Sequence, residues 1–506
     1  MRNKYIIAFI LLATVIAGCK KTWLDVNTNP SALTTSSPDY LFTAGANRLA
    51  AASRDPHELG SYWSGQWTYS NTYIISTTIF SYQFNNTNFN YWDTWYDVQK
   101  DLQTAIEFGD DKGQPYMKGP ARILKTFIQQ QLVDCYGDAP YFDALKGTGS
   151  LTPVFDDQKL IYEDLIKQLD TAIAELKANA FQPPGVSADI VWKGNVTNWV
   201  RFANSLKLRI LIRQSRVSGR DSYIIAEINK AAATTEGFLA SGQDAGVNPG
   251  YIASSGKMNP YYEQWGYNSS GGAQALARLP RPTKFLGDML KASNDTFRLK
   301  RIAYANGGED ANNPGVSKLP ELVSNYNFVP FGIASGYAAP STPYPGPALI
   351  VKNQFNRNVY IMTAAESFFL LAEAKQRYGG SITPTGTAQS YYEQGVKESF
   401  RLTGTASSAA TTLLTSGIDL ADWTASTDKL KAIWMQKWLA MVNYQGMEAW
   451  SEFRRTNFPN IPASASAPIG QKLPVRLFYP SSESASNPNV PGNIDVFNTR
   501  IFWDVD

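Results

Sequence analysis

Apolar residues recur at three- and four-residue spacing through block after block of this chain, and proline and glycine punctuate the blocks. Leu41, Phe42, Ala46 and Leu49 share one side of a helix predicted over 39–52, with Pro38 just ahead of it. Trp92, Trp95, Val98, Leu102 and Ile106 keep the spacing in the next, which assigns Trp92 and Trp95 to packing. Leu124, Phe127, Ile128, Leu132 and Cys135 form a third stripe that starts near Pro120 and stops at Gly137. Cys135 is therefore expected in the core rather than as a reactive thiol. Further helices are predicted over 160–176, 198–216 and 222–233, and again over 361–378, 388–402 and 428–443. They fall into neighbouring pairs.

Over about 236–359 the rhythm is lost, and Gly, Pro, Asn and Ser crowd around tyrosine-rich patches with one short helix predicted at 284–292. Loops of that length in a folded body usually carry function. Paired helices of about 30–45 residues predict a mostly α fold, with tetratricopeptide-like helix pairs forming a curved scaffold and a long loop-rich insert. The usual tetratricopeptide signature is not visible, so the repeats are degenerate. Residues 39–506 read as a single domain: helical blocks over about 39–235 and 360–456 flank the insert, and an irregular tail covers 457–506.

The first residues follow another pattern. Arg2 and Lys4 precede an apolar run from Tyr5 to Ala17, the charged and apolar regions of a secretory signal over 1–18. The run falls short of the roughly 20 residues that span a bilayer. Ile16-Ala17-Gly18-Cys19 resembles the lipobox of bacterial lipoproteins, which implies a lipidated Cys19 as the mature N-terminus and a membrane anchor. Residues 19–38, rich in Asn, Pro, Ser and Thr, then form a tether.

Composition narrows the chemistry. The net charge of +3 includes the leader's Arg2 and Lys4, so the body is near neutral and nucleic acid is not an expected partner. Of two cysteines one is the expected lipid site, which leaves no disulfide framework. The single histidine, His57, stands near no nucleophile motif and is read as non-catalytic, and a multi-histidine metal site is impossible. No metal or other cofactor is expected.

Between Tyr62 and Tyr96, thirteen of thirty-five residues are Phe, Trp or Tyr, nearly three times the chain's 13 %. The stretch from Tyr62 to Tyr73 has no sustained apolar period and cannot bury every ring against one face, so some rings should be exposed. Trp63, Trp67, Tyr69 and Tyr73, with the amides Gln66 and Asn71, are candidate ligand contacts. Tyr261, Tyr262, Trp265 and Tyr267, with Gln264 and Asn268, form a matching group in the insert, and both groups are expected to join in one site. Flat rings offer apolar faces to sugar C–H groups while amides bond hydroxyls.

Other constellations read more blandly. Glu366 and Glu373 share a helix face and invite a paired-carboxylate glycosidase, but a charged flank beside an apolar stripe, paired with the arginines elsewhere, explains them better. Asp93, Asp97 and Asp101 line a helix and are read as a solvated face. Arg201, Lys207, Arg209, Arg213 and Arg216 are read as ion-pairing partners of acidic helices.

Several segments together resemble the SusD/RagB family of outer-membrane nutrient-binding lipoproteins, most closely its SusD-like branch. They are Asp134-Cys135-Tyr136-Gly137-Asp138-Ala139-Pro140-Tyr141, Trp199 to Arg209, Ala365 to Ala374, Gln436-Lys437-Trp438, Glu448 to Arg455, and Arg476 to Pro480 with Glu483 and Asn487. The resemblance implies a lipid-anchored, mostly helical protein facing outward from the outer membrane, a lid on a TonB-dependent β-barrel transporter (SusC-like), to which it hands captured oligosaccharide or, in some members, peptide. It fixes no ligand-contacting residue. One departure is Lys20-Lys21 after Cys19, where related surface-exported lipoproteins often carry acidic residues. The reading is therefore a binding protein rather than an enzyme; the alternatives are a peptide-capturing member, a surface glycoside hydrolase, or a helical scaffold with its aromatics buried.

Overall fold

Short polar side chains take up loose N–H groups at the start of five of the long helices. Asp157 accepts from the amides of Lys159 and Leu160, Asn195 from Asn198, Thr363 from Glu366, Thr387 from Ser390 and Asp428 from Lys431. The computed structural model describes residues 36–505. The leader, Cys19 and the tether up to residue 35 lie outside the described residues.

The helices that carry the packing are Pro38–Ala52 (α1), Arg54–Trp63 (α2), Trp92–Phe108 (α3), Lys118–Tyr136 (α4), Gln158–Ala178 (α5), Val196–Arg213 (α6) and Asp221–Ala232 (α7). In the insert stand Pro260–Trp265 (α8), Lys284–Ala292 (α9) and Thr296–Ile302 (α10), and beyond it Ala364–Tyr378 (α11), Ala388–Leu402 (α12), Lys429–Met441 (α13) and Gly446–Thr456 (α14). Helix packs on helix in near chain order: α1 on α3, α3 on α4, α4 on α5, α5 on α6, α6 on α7 and α11, α11 on α12 and α13. Helix α14 then returns to α2 near the start of the chain. These are the expected helix pairs, stacked one on the next.

Two-stranded antiparallel ladders stitch the insert to the helices: Trp67–Tyr69 (β1) with Pro280–Pro282 (β3), Ala245–Val247 (β2) with Val359–Met362 (β6), and Ala303–Tyr304 (β4) with Tyr344–Pro345 (β5). Strand β6 takes the residues where the helix predicted from 361 was to begin. Helix α11 accordingly starts at Ala364, capped by Thr363.

The charged residues depart from expectation in where they lie. Glu366 and Glu373 pair with arginines as expected, but inside the core rather than on a flank, and Lys207, Arg209, Arg213 and Arg455 are buried with them. The guanidinium of Arg209 grips both oxygens of Glu366, at 2.6 Å each. Arg455 bridges Glu373 and Glu452 at 2.7 Å, and Arg213 donates to Glu448 and Glu452. Arg201 donates to the carbonyl of Glu236 and Arg216 to that of Arg455. A ladder of guanidinium–carboxylate contacts thus joins α6, α11 and α14, and its many charge-assisted hydrogen bonds offset much of the cost of burial, although Arg209 Nη1, Arg213 Nε and Glu448 Oε2 have no hydrogen-bond partner among the described residues. Cys135 is fully buried, and burial pushes its thiol far above the ordinary range.

Candidate ligand-binding surface

The ladder of β1 with β3 places Trp67 opposite Pro282 and Tyr69 opposite Pro280, and so ties the first aromatic stretch to the insert. The loop after β1 is clamped to a second insert segment through Asn71. Its backbone N–H donates to Tyr337 O at 2.9 Å, its amide nitrogen donates to Ile333 O, and its amide oxygen accepts from Tyr337 N, both at 2.8 Å. Thr72 accepts from Ala339 N, and Ser81 donates to Ser466 O in the tail. Four distant stretches, 69–82, 267–282, 331–345 and 464–467, thereby meet at one side.

The two predicted aromatic groups do come together, but six of their twelve residues are core. Trp63, Gln66 and Trp67 have no exposed surface, and Tyr261, Tyr262 and Trp265 keep 3–6 %. The expectation of exposure fails for these because each ring is enclosed from several sides rather than laid on one face. Trp67 meets Trp265 edge-on at 5.2 Å and His57 at 5.2 Å, while Trp63 meets Trp450 at 5.0 Å and Phe84 and Phe89 at 5.5 Å. Their polar handles are spent internally: Trp63 donates to Ile79 O, Trp67 to Asn443 Oδ1, and Gln66 to Trp438 O.

Above this layer Tyr69, Asn71, Tyr73, Gln264 and Tyr267 are half-buried and Asn268 is exposed. Tyr73 donates its hydroxyl to Ala275 O and Tyr267 to Glu309, so each ring is held in place with an edge or face toward solvent. Asn268 folds back, accepting from Ser270 N and Gly272 N, and shapes a turn. Two further tyrosines, Tyr337 and Tyr344, share this side half-buried; only their place in a stretch without apolar period hinted at them. Arg281 lies 3.6 Å from the Tyr344 ring centroid, and burial lowers its pKa to about 10, so it stays charged beneath the rings. Ile74, 93 % exposed, stands beside Tyr73.

The competing chemistries find no support in this geometry. His57 is buried against Trp67 and Tyr261, accepts from Gly446 N at 2.9 Å, and burial lowers its pKa to about 3, so it is neutral. Glu366 and Glu373 are locked in the charged ladder. Asp93 and Asp97 face solvent, Asp101 pairs with Arg48 at 3.1 Å, and among the described residues no three His, Cys, Asp or Glu side chains converge as a metal site. Among those residues, too, no helix is long and apolar enough to cross a membrane.

Residues 27–480 match the family model SusD-like, described as starch-binding and associating with the outer membrane. The chain belongs to this family. As a SusD-like protein it is one of a group of nutrient- and carbohydrate-binding proteins of the outer membrane. A SusD homolog from Bacteroides uniformis superposes with a TM-score of 0.72 at 24 % identity, over 92 % of this chain and 100 % of that one. A chitin-binding SusD homolog from Flavobacterium johnsoniae gives 0.70 at 24 % identity, over 92 % and 99 %. An outer membrane protein from Bacteroides vulgatus gives 0.73 at 22 % identity, over 93 % and 100 %. At these identities the likeness establishes the fold. No curated protein matches the sequence.

Proposed function

We propose that this SusD-like protein captures oligosaccharide at the cell surface and passes it to a TonB-dependent β-barrel transporter. It does so as a binding protein, without catalysis, held by a lipid on Cys19. The observation that carries the reading is the tyrosine-lined surface. Tyr69, Tyr73, Tyr267, Tyr337 and Tyr344 present ring faces and edges where four loop segments meet, on a fully packed aromatic base. Rings fixed from beneath lose little entropy when a sugar stacks on them. Gln264 and Asn268 supply amides at the rim, Asn71 positions the loop, and Trp63, Gln66, Trp67, Tyr261, Tyr262 and Trp265 support the surface from below. The chitin-binding relative supports a polysaccharide as the source of the ligand.

A glycan and peptide array probed with protein lacking residues 1–19 tests the ligand class. Oligosaccharide hits are expected; hits confined to peptides would move the protein to the peptide-capturing branch, and new reducing ends on incubation with a bound glycan would make it a hydrolase. Labelled fatty acid should enter the wild type and not Cys19→Ala, which should become soluble. Gentle detergent extraction followed by mass spectrometry should recover a large barrel protein with it.

A further inference from the structure

Away from the tyrosine surface, where α10 and the residue run before β6 meet the end of α12, lies a cavity of about 330 Å³. Arg301, at the end of α10, and Arg357, just before β6, both line it. Among the described residues neither makes an ion pair, in contrast to Arg209, Arg213 and Arg455 in the core. Arg301 donates through Nε to Thr403 O at 2.8 Å, and its two Nη groups have no acceptor within the described protein. Arg357 holds the carbonyls of Pro347, Ala348 and Leu349 through Nη1, at 2.9, 3.3 and 3.5 Å, and donates through Nη2 to Gln354 Oε1, which leaves its Nε without an acceptor among the described residues. Burial, and then the like charge of Arg301, lower the pKa of Arg357.

The rest of the lining suits a small polar ring rather than a chain of carbons. Tyr360 and Tyr444 stand nearly perpendicular, ring centroids 5.6 Å apart, and form a corner beside Asn358. Gly404, at φ +82°, keeps the Arg301 side open: a Cβ there would lie 2.8 Å from Nη2 of Arg301. The nearby carboxylate that both tyrosines feel, Asp244, is already engaged by Arg401 and by Ala364 N. Nothing acidic lines the cavity to repel an anion.

We propose that this cavity binds the carboxylate of a hexuronic acid, free or at the end of an oligosaccharide. Arg301 and Arg357 take the carboxylate, whose charge relieves their mutual repulsion, while the tyrosine corner and Asn358 hold the sugar ring. Of the residues named for the tyrosine surface the cavity touches only Tyr261 in its packed base, so uronate binding here and sugar stacking on the half-exposed tyrosines are read out separately.

Titration calorimetry of the soluble protein with glucuronate, galacturonate, oligogalacturonide, glucose and acetate tests it. Uronate is expected to bind, with glucose and acetate weaker by about tenfold or more. Binding should weaken as salt rises to about 0.5 M. Arg301→Gln should lower uronate affinity by about tenfold with little change in the melt, since only its Nε is bonded within the protein; Arg357→Lys should lower it similarly, with its melt recorded alongside because its guanidinium also holds backbone carbonyls and Gln354. Tighter binding of the oligogalacturonide than of the free acids would assign the site to a chain terminus, and the reverse to a free acid. No uronate binding by the wild type, acetate binding as tightly as uronate, or unaltered binding by Arg301→Gln would overturn the proposal.

Discussion

A Cβ placed on Gly60 would stand 2.3 Å from the carbonyl oxygen of Gly446, and one on Gly446 would stand 2.1 Å from the carbonyl oxygen of His57. Helices α2 and α14, nearly four hundred residues apart in sequence, therefore touch backbone to backbone, and Gly446 N donates to His57 Nδ1 across the contact. This crossing fixes the floor on which Trp63 and Trp67 pack.

Either Gly60→Ala or Gly446→Ala is expected to cost about 3 kcal/mol or more, the upper end of overpacking, because the obstacle is backbone that no rotamer change removes. Chemical denaturation checks this. A melt and midpoint like the wild type's for both variants would show that the helices can separate cheaply.

These two helices, like α8 and α10 in the insert, are ones the apolar pattern did not disclose. Helix α2 carries Pro56 and Gly60 within ten residues, and α14 buries Glu448, Glu452, Arg454 and Arg455. Periodicity reading assumes that polar residues face water, and the charged ladder inverts that rule. It succeeded where helices bury one apolar stripe behind a polar cap, as at Lys284–Ala292 and Ala388–Leu402, which lie where expected. The aromatic stretch was legible as unusual, and its two groups do meet. Which rings would be sealed was not legible, because Trp67 and Trp265 are enclosed by partners hundreds of residues away.

The charged ladder predicts strong non-additivity. Glu366→Leu alone strands Arg209 in the core and is expected to cost about 3–5 kcal/mol, whereas Glu366→Leu with Arg209→Met should recover most of that loss. A double-mutant cycle by urea titration measures it; a double variant as unstable as the sum of the singles would deny the coupling. At Glu373 burial opposes ionisation, but the Arg455 and Arg377 guanidiniums override it and hold the pKa down at about 2. Its stabilisation is present above pH 4.5 and lost as pH falls from there toward 2.

Glu58 runs the other way. Burial raises its pKa from 4.5 to about 7, against the hydrogen bond from the Tyr62 hydroxyl at 2.9 Å. Its protonated form favours the fold, so this contribution is complete below pH 4.5 and disappears as pH rises through 7. Its partly solvated position trims the effect to on the order of 1–2 kcal/mol. His57, held neutral in the fold, loses stability as pH falls below 6.5 and masks part of the trend. The clean readout is the melting difference between wild type and Glu58→Gln: the variant should gain relative stability from pH 5 to pH 8. A difference that stays constant over that range would refute the assignment.

The buried tryptophans should behave as core. Trp67→Ala and Trp265→Ala are each expected to cost about 3–5 kcal/mol of stability, seen as early melting, with ligand affinity near wild type in whatever fraction remains folded. Normal melting of both would place these rings at the surface after all.

If sugar stacks on the half-exposed tyrosines, calorimetry of Tyr73→Ala and Tyr337→Ala with the array-identified oligosaccharide will register it. Each substitution should cost roughly 2 kcal/mol of affinity, about thirtyfold in Kd, while thermal melting hardly moves. Wild-type affinity in both variants would contradict the account.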